Sequence, residues 1–419
     1  MSLEQNSMVQ TYLDAVCSQI KWHEVHGQVK SELVSHLEEI ALELKSDGMS
    51  DQDAIPAAIH RMGEATDLGW QFQQTHKPQR NWPLVVAVAL LSCLGLAVMH
   101  MIEASSVLSS SLNLFVKSMI FTGIGTALLL WMNYYDFRKL RPYTSCLFWG
   151  TIVLWLAVLM IGPSLNGKSF LTLGPVFIGG NNHNIFLNYI GITPFFLTLA
   201  LAGIFIGRDW TNRSWIIKAF SLLIIPNSLY MISGSSYLAV VYTLVFLVLM
   251  GMSNAPKKWI TGFLLMSVGL AMIKLSLATD NLSLHNLLDI AELWGKSISK
   301  PDAAPTEFHT GFVFFYLVKQ FGLLLGAGTI AIGCAITLVL VRAVRQIKDQ
   351  YGRMVVAGLT AFFAVNFYWH VLMSLGLVPF ASINLPFVSF GGSQTIVNLA
   401  ATGAILSIYK RKNLIALNR

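Results

Sequence analysis

The side chains that could do chemistry are concentrated in one stretch, Asn281–Thr310. It is the long polar interruption in a chain that is otherwise apolar from residue 83 onward, and it carries Asp289, Glu292, Lys296, Lys300, Asp302, Glu307 and His309 before running into Gly311-Phe312-Val313-Phe314-Phe315. Carboxylates and an imidazole in such a loop could exchange protons with a bound hydroxyl group. Within the loop, Leu284, Leu287, Leu288, Ala291 and Trp294 recur at helical spacing opposite His285, Asp289, Glu292 and Lys296. That pattern predicts an amphipathic helix lying in a membrane interface, with Trp294 at headgroup level. Taken alone, such a helix is equally a surface spacer.

The elements that must position this loop follow from composition. The chain has 419 residues, 54% hydrophobic and 12% charged, with a mean hydropathy of +0.60. Apolar runs near the ~20 residues of a membrane-crossing helix recur along it, so it reads as an all-α polytopic membrane protein. The net charge of +7 does not point to nucleic acid, because the Lys and Arg residues are spread over short loops between apolar runs, where they encode topology. Cys17, Cys93, Cys146 and Cys334 show no paired spacing and imply neither a disulfide framework nor a metal site.

Ten spans are expected, at about 83–104, 113–135, 143–163, 187–207, 216–232, 236–252, 258–279, 312–343, 354–377 and 391–409. The charge pattern supports that count. Arg138, Lys139 and Arg141, then Arg208 and Arg213, Lys257 and Lys258, Arg342, Arg345, Lys348 and Arg353, and finally Lys410, Arg411 and Lys412 fall in alternate connections, whereas the intervening short loops hold only Lys168. Both termini are therefore expected to be cytoplasmic in a plasma-membrane protein, with Asn281–Thr310 outside. Pro194, Pro226, Asn227, Asn366 and His370 place helix-breaking or polar groups at membrane depth, and these are expected to face the bundle interior or a wet cavity. Glu103 and Lys117, at the outer ends of the first two spans, are read as a structural ion pair or as side chains snorkelling to the interface, in preference to a substrate role.

Residues 1–80 differ. Val29, Leu33, Leu37, Ile40 and Leu44 recur at helical spacing, Gly48 follows as a stop, and Ser50 with Asp53 forms a capping-box-like start for a further helix. A small cytoplasmic helical domain is expected. Its His36, Gly48-Met49-Ser50, Ala54-Ile55 and Met62-Gly63 resemble the HAAS-type helical modules that precede some bacterial membrane proteins.

The C-terminal segment from Val378-Pro379-Phe380-Ala381-Ser382-Ile383-Asn384 through Leu385-Pro386-Phe387-Val388-Ser389-Phe390-Gly391-Gly392-Ser393, followed by Asn398 in the last span, resembles the signature of the SEDS family, the FtsW/RodA/SpoVE proteins of bacterial shape, division and sporulation. Glu307-Phe308-His309-Thr310-Gly311-Phe312-Val313, with Phe321-Gly322 and Gly326 beyond it, is similar to the family's outer-loop motif, and Leu173-Gly174-Pro175 to a weaker one. The resemblance covers residues 83–410, the expected membrane domain, with its outer loop over 280–311. It implies a role in peptidoglycan assembly, namely glycosyl transfer from undecaprenyl-linked lipid II beside a class B penicillin-binding transpeptidase. In the C-terminal motif, Gly391 and Gly392 would permit close backbone approach at a helix start whose amides face an anionic group such as a lipid pyrophosphate, or would simply make a tight turn. His309, Thr310, Lys168, Ser389, Gly391, Gly392 and Ser393 are the candidate substrate contacts.

The departures from the family pattern matter as much. The family's outer-loop motif carries an Asp after His-Thr, as the base on the acceptor hydroxyl, and here that position is Gly311, which has no side chain to take a proton. Gly180-Asn181-Asn182-His183-Asn184 and Ser233-Gly234-Ser235-Ser236 stand where the family has charged motifs, and Lys319-Gln320 replaces paired acids. Glu307 and Asp302 are the nearest remaining carboxylates. Three readings stay open at this point: a catalytically silent relative that binds lipid-linked precursor or regulates envelope synthesis, an active glycosyltransferase using Glu307 or Asp302, and a lipid flippase or transporter. No cofactor is implied, and no carboxylate cluster specifies a divalent cation.

Overall fold

The computed structural model describes residues 6–75, 78–104, 113–165, 168–178, 181–265, 309–375, 377–378 and 383–413. The chain divides into two compact units, Met1–Arg80 with Lys410–Arg419, and Asn81–Tyr409.

The first unit is built from four helices, α1 (Ser7–Ser18), α2 (His26–Ser46), α3 (Asp51–Met62) and α4 (Ala65–Thr75). Asn6 caps α1 by accepting the Met8 amide at 2.9 Å. Ser50 caps α3, accepting the Asp53 amide at 3.3 Å while its hydroxyl donates to the Asp53 carboxylate at 2.6 Å, so the expected capping pair forms. Gly48 ends the run after α2 at φ +94°, a conformation that favours glycine. Val9, Leu13, Val16, Val29, Leu33 and Leu37 make a core buried to 2% or less. The chain's end belongs to this unit. The Arg411 side chain, 3% exposed, forms a two-pronged ion pair with Glu24, its Nη2 donating to Oε1 at 2.6 Å.

In the second unit, α5 (Trp82–Ala104), α6 (Leu114–Tyr134), α7 (Thr144–Ile161, extended at its start by the 3₁₀ turn Phe137–Tyr143), α9 (Arg213–Ile232), α12 (Leu323–Gln346) and α13 (Gln350–Ser374) are long and apolar enough to cross a membrane. The helices α8 (Tyr189–Ile204) and α10 (Ser236–Met252) are shorter and apolar, and α14 (Gly392–Lys410) closes the chain's last span. This is an all-α multi-pass membrane architecture. Of the expected seventh span only 257–265 is described, and it is helical; the amphipathic segment expected at 284–294 lies outside the described residues.

The expected eighth span is not one helix. Gly322, at φ +86°, breaks it into α11 (Val313–Phe321) and α12. The hydropathy of an apolar run reports its length but not a single left-handed residue within it, which only glycine adopts cheaply. A second difference lies between α7 and α8. There the chain forms two short antiparallel pairs, β1 (Ser164–Leu165) with β2 (Lys168–Ser169) and β3 (Leu171–Ile178) with β4 (Asn181–Leu187). The register of the longer pair shifts between Thr172 and Pro175, where Gly174-Pro175 interrupts the ladder because proline has no amide to donate.

The intramembrane polar groups turn inward as their cost toward lipid requires. Asn227 donates to the Leu223 carbonyl at 2.9 Å and to Thr243 of α10 at 3.1 Å. Asn366 accepts from Tyr237 at 2.8 Å. Of the two readings of Glu103 and Lys117, the ion pair does not form: Glu103 accepts the Phe115 amide at 2.8 Å, capping the first turn of α6, while Lys117 is exposed, as a snorkelling side chain is. A carboxylate at a helix start satisfies an unpaired amide and complements the dipole there, which a snorkelling lysine leaves available.

Candidate functional site

The C-terminal motif is tied to elements distant in sequence by a set of short hydrogen bonds. Leu385-Pro386-Phe387-Val388-Ser389 forms a tight turn, with the Val388 and Ser389 amides donating to the Leu385 carbonyl at 3.1 and 3.0 Å. The buried Ser389 hydroxyl accepts the Leu385 amide at 2.8 Å and donates to the Thr310 carbonyl at 2.9 Å. Beside it, the Phe390 amide donates to the His309 carbonyl at 2.8 Å, and the His309 and Phe390 rings lie 5.8 Å apart. His309 and Thr310 are thus held on Ser389 and Phe390, and the next residue, buried, is Gly311.

Three further ties fix the motif. His370 of α13, fully buried, hydrogen-bonds through Nδ1 to the Ile383 carbonyl at 2.8 Å, consistent with a hydrogen-bonded bundle residue rather than a ligand. The Ser393 hydroxyl accepts the Asn188 amide at the start of α8 at 3.2 Å. The motif backbone also presses on α5: a Cβ at Gly95 would stand 2.5 Å from the Phe387 carbonyl oxygen and 2.8 Å from the Val388 Cα. Phe387 itself is held at φ +67°, a strained setting for a side chain of that bulk, which persists because so many neighbours fix it.

Both glycines of the motif are approached closely by protein. A Cβ at Gly391 would meet the Asn384 amide nitrogen at 2.2 Å, and one at Gly392 would meet the Phe121 ring of α6 at 2.7 Å. Of the other candidate contacts, Asp302 and Glu307 lie outside the described residues. Lys168 is in β2, paired across from Leu165, and its side chain is likewise outside them. The structure therefore brings His309, Thr310, Ser389, Gly391, Gly392 and Ser393 into one region. Among the described residues there is no group of three or more His, Cys, Asp or Glu side chains gathered as for a metal ion.

Sequence reasoning missed the other wall of this region. A shallow open crevice with room for about one water separates the motif from α5 and α6, lined by Ser92, Leu96 and Met99 of α5, by Ser118 and Thr122 of α6, and by Thr395 of α14, among others. None of its fourteen lining residues is ionisable. The signal was present as helical spacing, Ser92, Gly95, Leu96 and Met99 on one face of α5 and Ser118, Phe121 and Thr122 on one face of α6.

With that geometry in hand, comparison with known proteins places the chain. The profile of the FTSW_RODA_SPOVE family, described as cell cycle protein, matches residues 288–414. A probable peptidoglycan glycosyltransferase FtsW of Coxiella burnetii is 24% identical over 373 residues, covering 78% of this chain and 96% of that relative. One of the same description from Nitrosomonas europaea is 29% identical over 129 residues, 28% of this chain, and that match spans only 32% of the relative's length. Among solved structures, the rod shape determining protein RodA of Thermus thermophilus has a TM-score of 0.61 at 20% identity, covering 80% of this chain and 98% of that one. A chain from a peptidoglycan synthase complex, solved for the structural coordination of polymerization and crosslinking, has a TM-score of 0.65 at 19% identity, with the same coverage. The fold is that of a polytopic SEDS-type membrane bundle. The family match covers the C-terminal part of the chain, residues 288–414, and the likeness in fold extends over 80% of the chain.

Proposed function

We propose that this protein serves bacterial cell-wall assembly by binding a lipid-linked peptidoglycan precursor at the end of the bundle that carries the C-terminal motif, without polymerising it. The observation that carries the reading is the clamp of Ser389 and Phe390 on Thr310 and His309. It holds the family's outer-loop motif in place, while the position at which relatives of this type carry an acid is the buried Gly311. A glycosyl acceptor hydroxyl must lose its proton as it attacks the anomeric carbon, and glycine offers no group to receive it. The names of the relatives, peptidoglycan glycosyltransferases, support the class of ligand.

The clamp and packing narrow the residues available to that ligand. The Ser389 hydroxyl is engaged on both sides, whereas the Ser393 hydroxyl accepts the Asn188 amide and keeps its own hydrogen to donate to the precursor. The orientation follows from charge: Arg138, Arg141, Arg342, Arg345 and Lys348 mark the cytoplasmic side, both termini lie there, and the motif faces the opposite leaflet. The pairing of Glu24 with Arg411 supports the same side for both ends. A transpeptidase of the class B penicillin-binding type is the partner that fits this role, in keeping with the coupling of polymerization to crosslinking in the similar synthase complex.

The test is retention of fluorescent lipid II by the purified full-length protein in vesicles. Lipid II should be captured with the protein well above the level for an unrelated polytopic membrane protein, and Ser389→Ala should lower that capture. Capture no better than the unrelated control would refute the binding role.

A further inference from the structure

Charge is distributed unevenly between the two ends of the membrane unit. Its described carboxylates are Glu103, Asp136, Asp209 and Asp349, and each is committed. Asp136 pairs with Arg138, Asp209 accepts from Thr211, Asp349 caps α13 through the Gly352 amide, and Glu103 caps α6. Lys319, in the last turn of α11, is therefore a cation with no carboxylate partner among the described residues. It is only partly exposed, and what it meets is the Phe315 ring, whose centroid lies 5.9 Å from Nζ.

The setting of α11 gives that charge a direction. Val313, Phe314, Tyr316, Leu317 and Val318 are buried to 2% or less, so the helix is packed on one side, and Phe315 and Lys319, four residues apart, share the open one. Helical side chains tilt toward the N-terminus, and the ammonium beside Phe315 is accordingly turned back along α11 toward Gly311. Gly311 follows directly on His309 and Thr310, which Phe390 and Ser389 hold in place. Four residues of helical rise, about 6 Å, separate positions 315 and 311.

The helix lengths set the level of Lys319. Near the far ends of α12 and α14, the Tyr409 hydroxyl donates to the Gln346 side chain at 2.9 Å, so these helices start from a common level. α12 has 24 residues and α14 has 19. At 1.5 Å per residue α12 thus reaches roughly 8 Å beyond the start of α14, and its length of about 36 Å exceeds the ~30 Å of bilayer hydrocarbon. Gly322 and the Lys319 end of α11 lie at that margin, where lipid phosphates begin.

A half-buried ammonium without a counter-ion is costly, and an arriving phosphate relieves that cost through a charge-assisted bond. The geometry points to Lys319 as the counter-charge for the pyrophosphate of the lipid-linked precursor, held between α11 and the clasp at residues 309–311. This rests on the precursor reading above and adds the group of the ligand that is gripped and the residue that grips it. A lysine in a last helical turn also complements the helix dipole, a role that does not depend on which headgroup is present.

The test is native mass spectrometry of the purified full-length protein from phosphatidylcholine nanodiscs. The discs are doped at equal mole fraction with undecaprenyl pyrophosphate, undecaprenol or phosphatidylglycerol. Undecaprenyl pyrophosphate should be retained at least fivefold more than either of the others. Lys319→Met should lower that retention at least fivefold, whereas Lys319→Arg should keep at least half of it. Undecaprenol retention should be equal in all three proteins, which controls for folding. A smaller loss in Lys319→Met, no recovery in Lys319→Arg, or phosphatidylglycerol retained as well as the pyrophosphate would each overturn the assignment. Lipid II capture separates the two proposals: capture by the native protein that Lys319→Met leaves unchanged sinks the role of Lys319 alone. Absence of lipid II capture by the native protein refutes the precursor reading, and the undecaprenyl pyrophosphate comparison still decides Lys319.

Discussion

The C-terminal motif and the crevice beside it are built from similar residues and treat them in opposite ways. In the motif, backbone and hydroxyl groups are tied into the protein: Ser389 to Leu385 and Thr310, the Ile383 carbonyl to His370, and the Phe390 amide to the His309 carbonyl. Across a few ångströms, Ser92, Ser118, Thr122 and Thr395 are left without such partners. Buried polar groups that are fully bonded specify one arrangement of the backbone, while groups left open at the edge of a cavity are free to bind something else. The motif thus reads as a clasp that sets the position of residues 309–311, beside a crevice whose hydroxyls are not tied into it.

Substitutions on either side should separate those roles. The largest effect is expected where a charge is fully committed. Glu24→Ala removes the two-pronged carboxylate partner of the buried Arg411 and should cost about 3 kcal/mol in the first unit, whereas adding Arg411→Met should recover most of that loss, read by thermal unfolding of the full chain. Next comes Ser389→Ala, which orphans the Leu385 amide and the Thr310 carbonyl together and should cost about 2 kcal/mol. Gly95→Ala should cost about 1–3 kcal/mol, since its Cβ meets motif backbone that cannot swing aside. Ser118→Ala with Thr122→Val should change stability by less than about 0.5 kcal/mol, because no protein bond is lost. A cost for that double substitution as large as that of Ser389→Ala would erase the distinction between clasp and crevice.

The smallest effect is a pH dependence in the first unit. The Asp14 carboxylate, bonded to Lys30 at 2.6 Å, raises the lysine's pKa above its ordinary value. A folded pKa above the unfolded one of about 10.4 means that the pair's contribution is complete below that pH and is lost as pH rises through the folded value. Both side chains are more than a third exposed, so the contribution is only a few tenths of a kcal/mol. Unfolding midpoints of the native chain should fall slightly more steeply above pH 10 than those of Lys30→Ala.

Much of this architecture was legible in the sequence because its signals are local. Apolar run lengths located the helices, and Gly48, Ser50 and Asp53 marked a stop and a start through their own backbone preferences. The inward placement of Asn227, Asn366 and His370 followed from the cost of exposing them to lipid. What was not legible depends on partners chosen by tertiary structure. Glu103 found an amide across the α5–α6 connection where charge alone suggested Lys117. The break at Gly322 depends on one φ angle inside a run of uniform hydropathy. Gly391 and Gly392 were rightly read as sites of close approach, but only the fold shows that Asn384 and Phe121 are what approach them. The crevice joins α5 and α6 to a motif nearly three hundred residues later in the chain, and no spacing rule within a single helix could have paired them.

The central claim is that the family's frame is retained here without the group that drives its chemistry. Its most direct test is incubation of the purified full-length protein with lipid II, free of other polymerases, followed by gel analysis of glycan strands. The account predicts no strands above the protein-free background. Strands made by the native protein and lost on Glu307→Ala would contradict it.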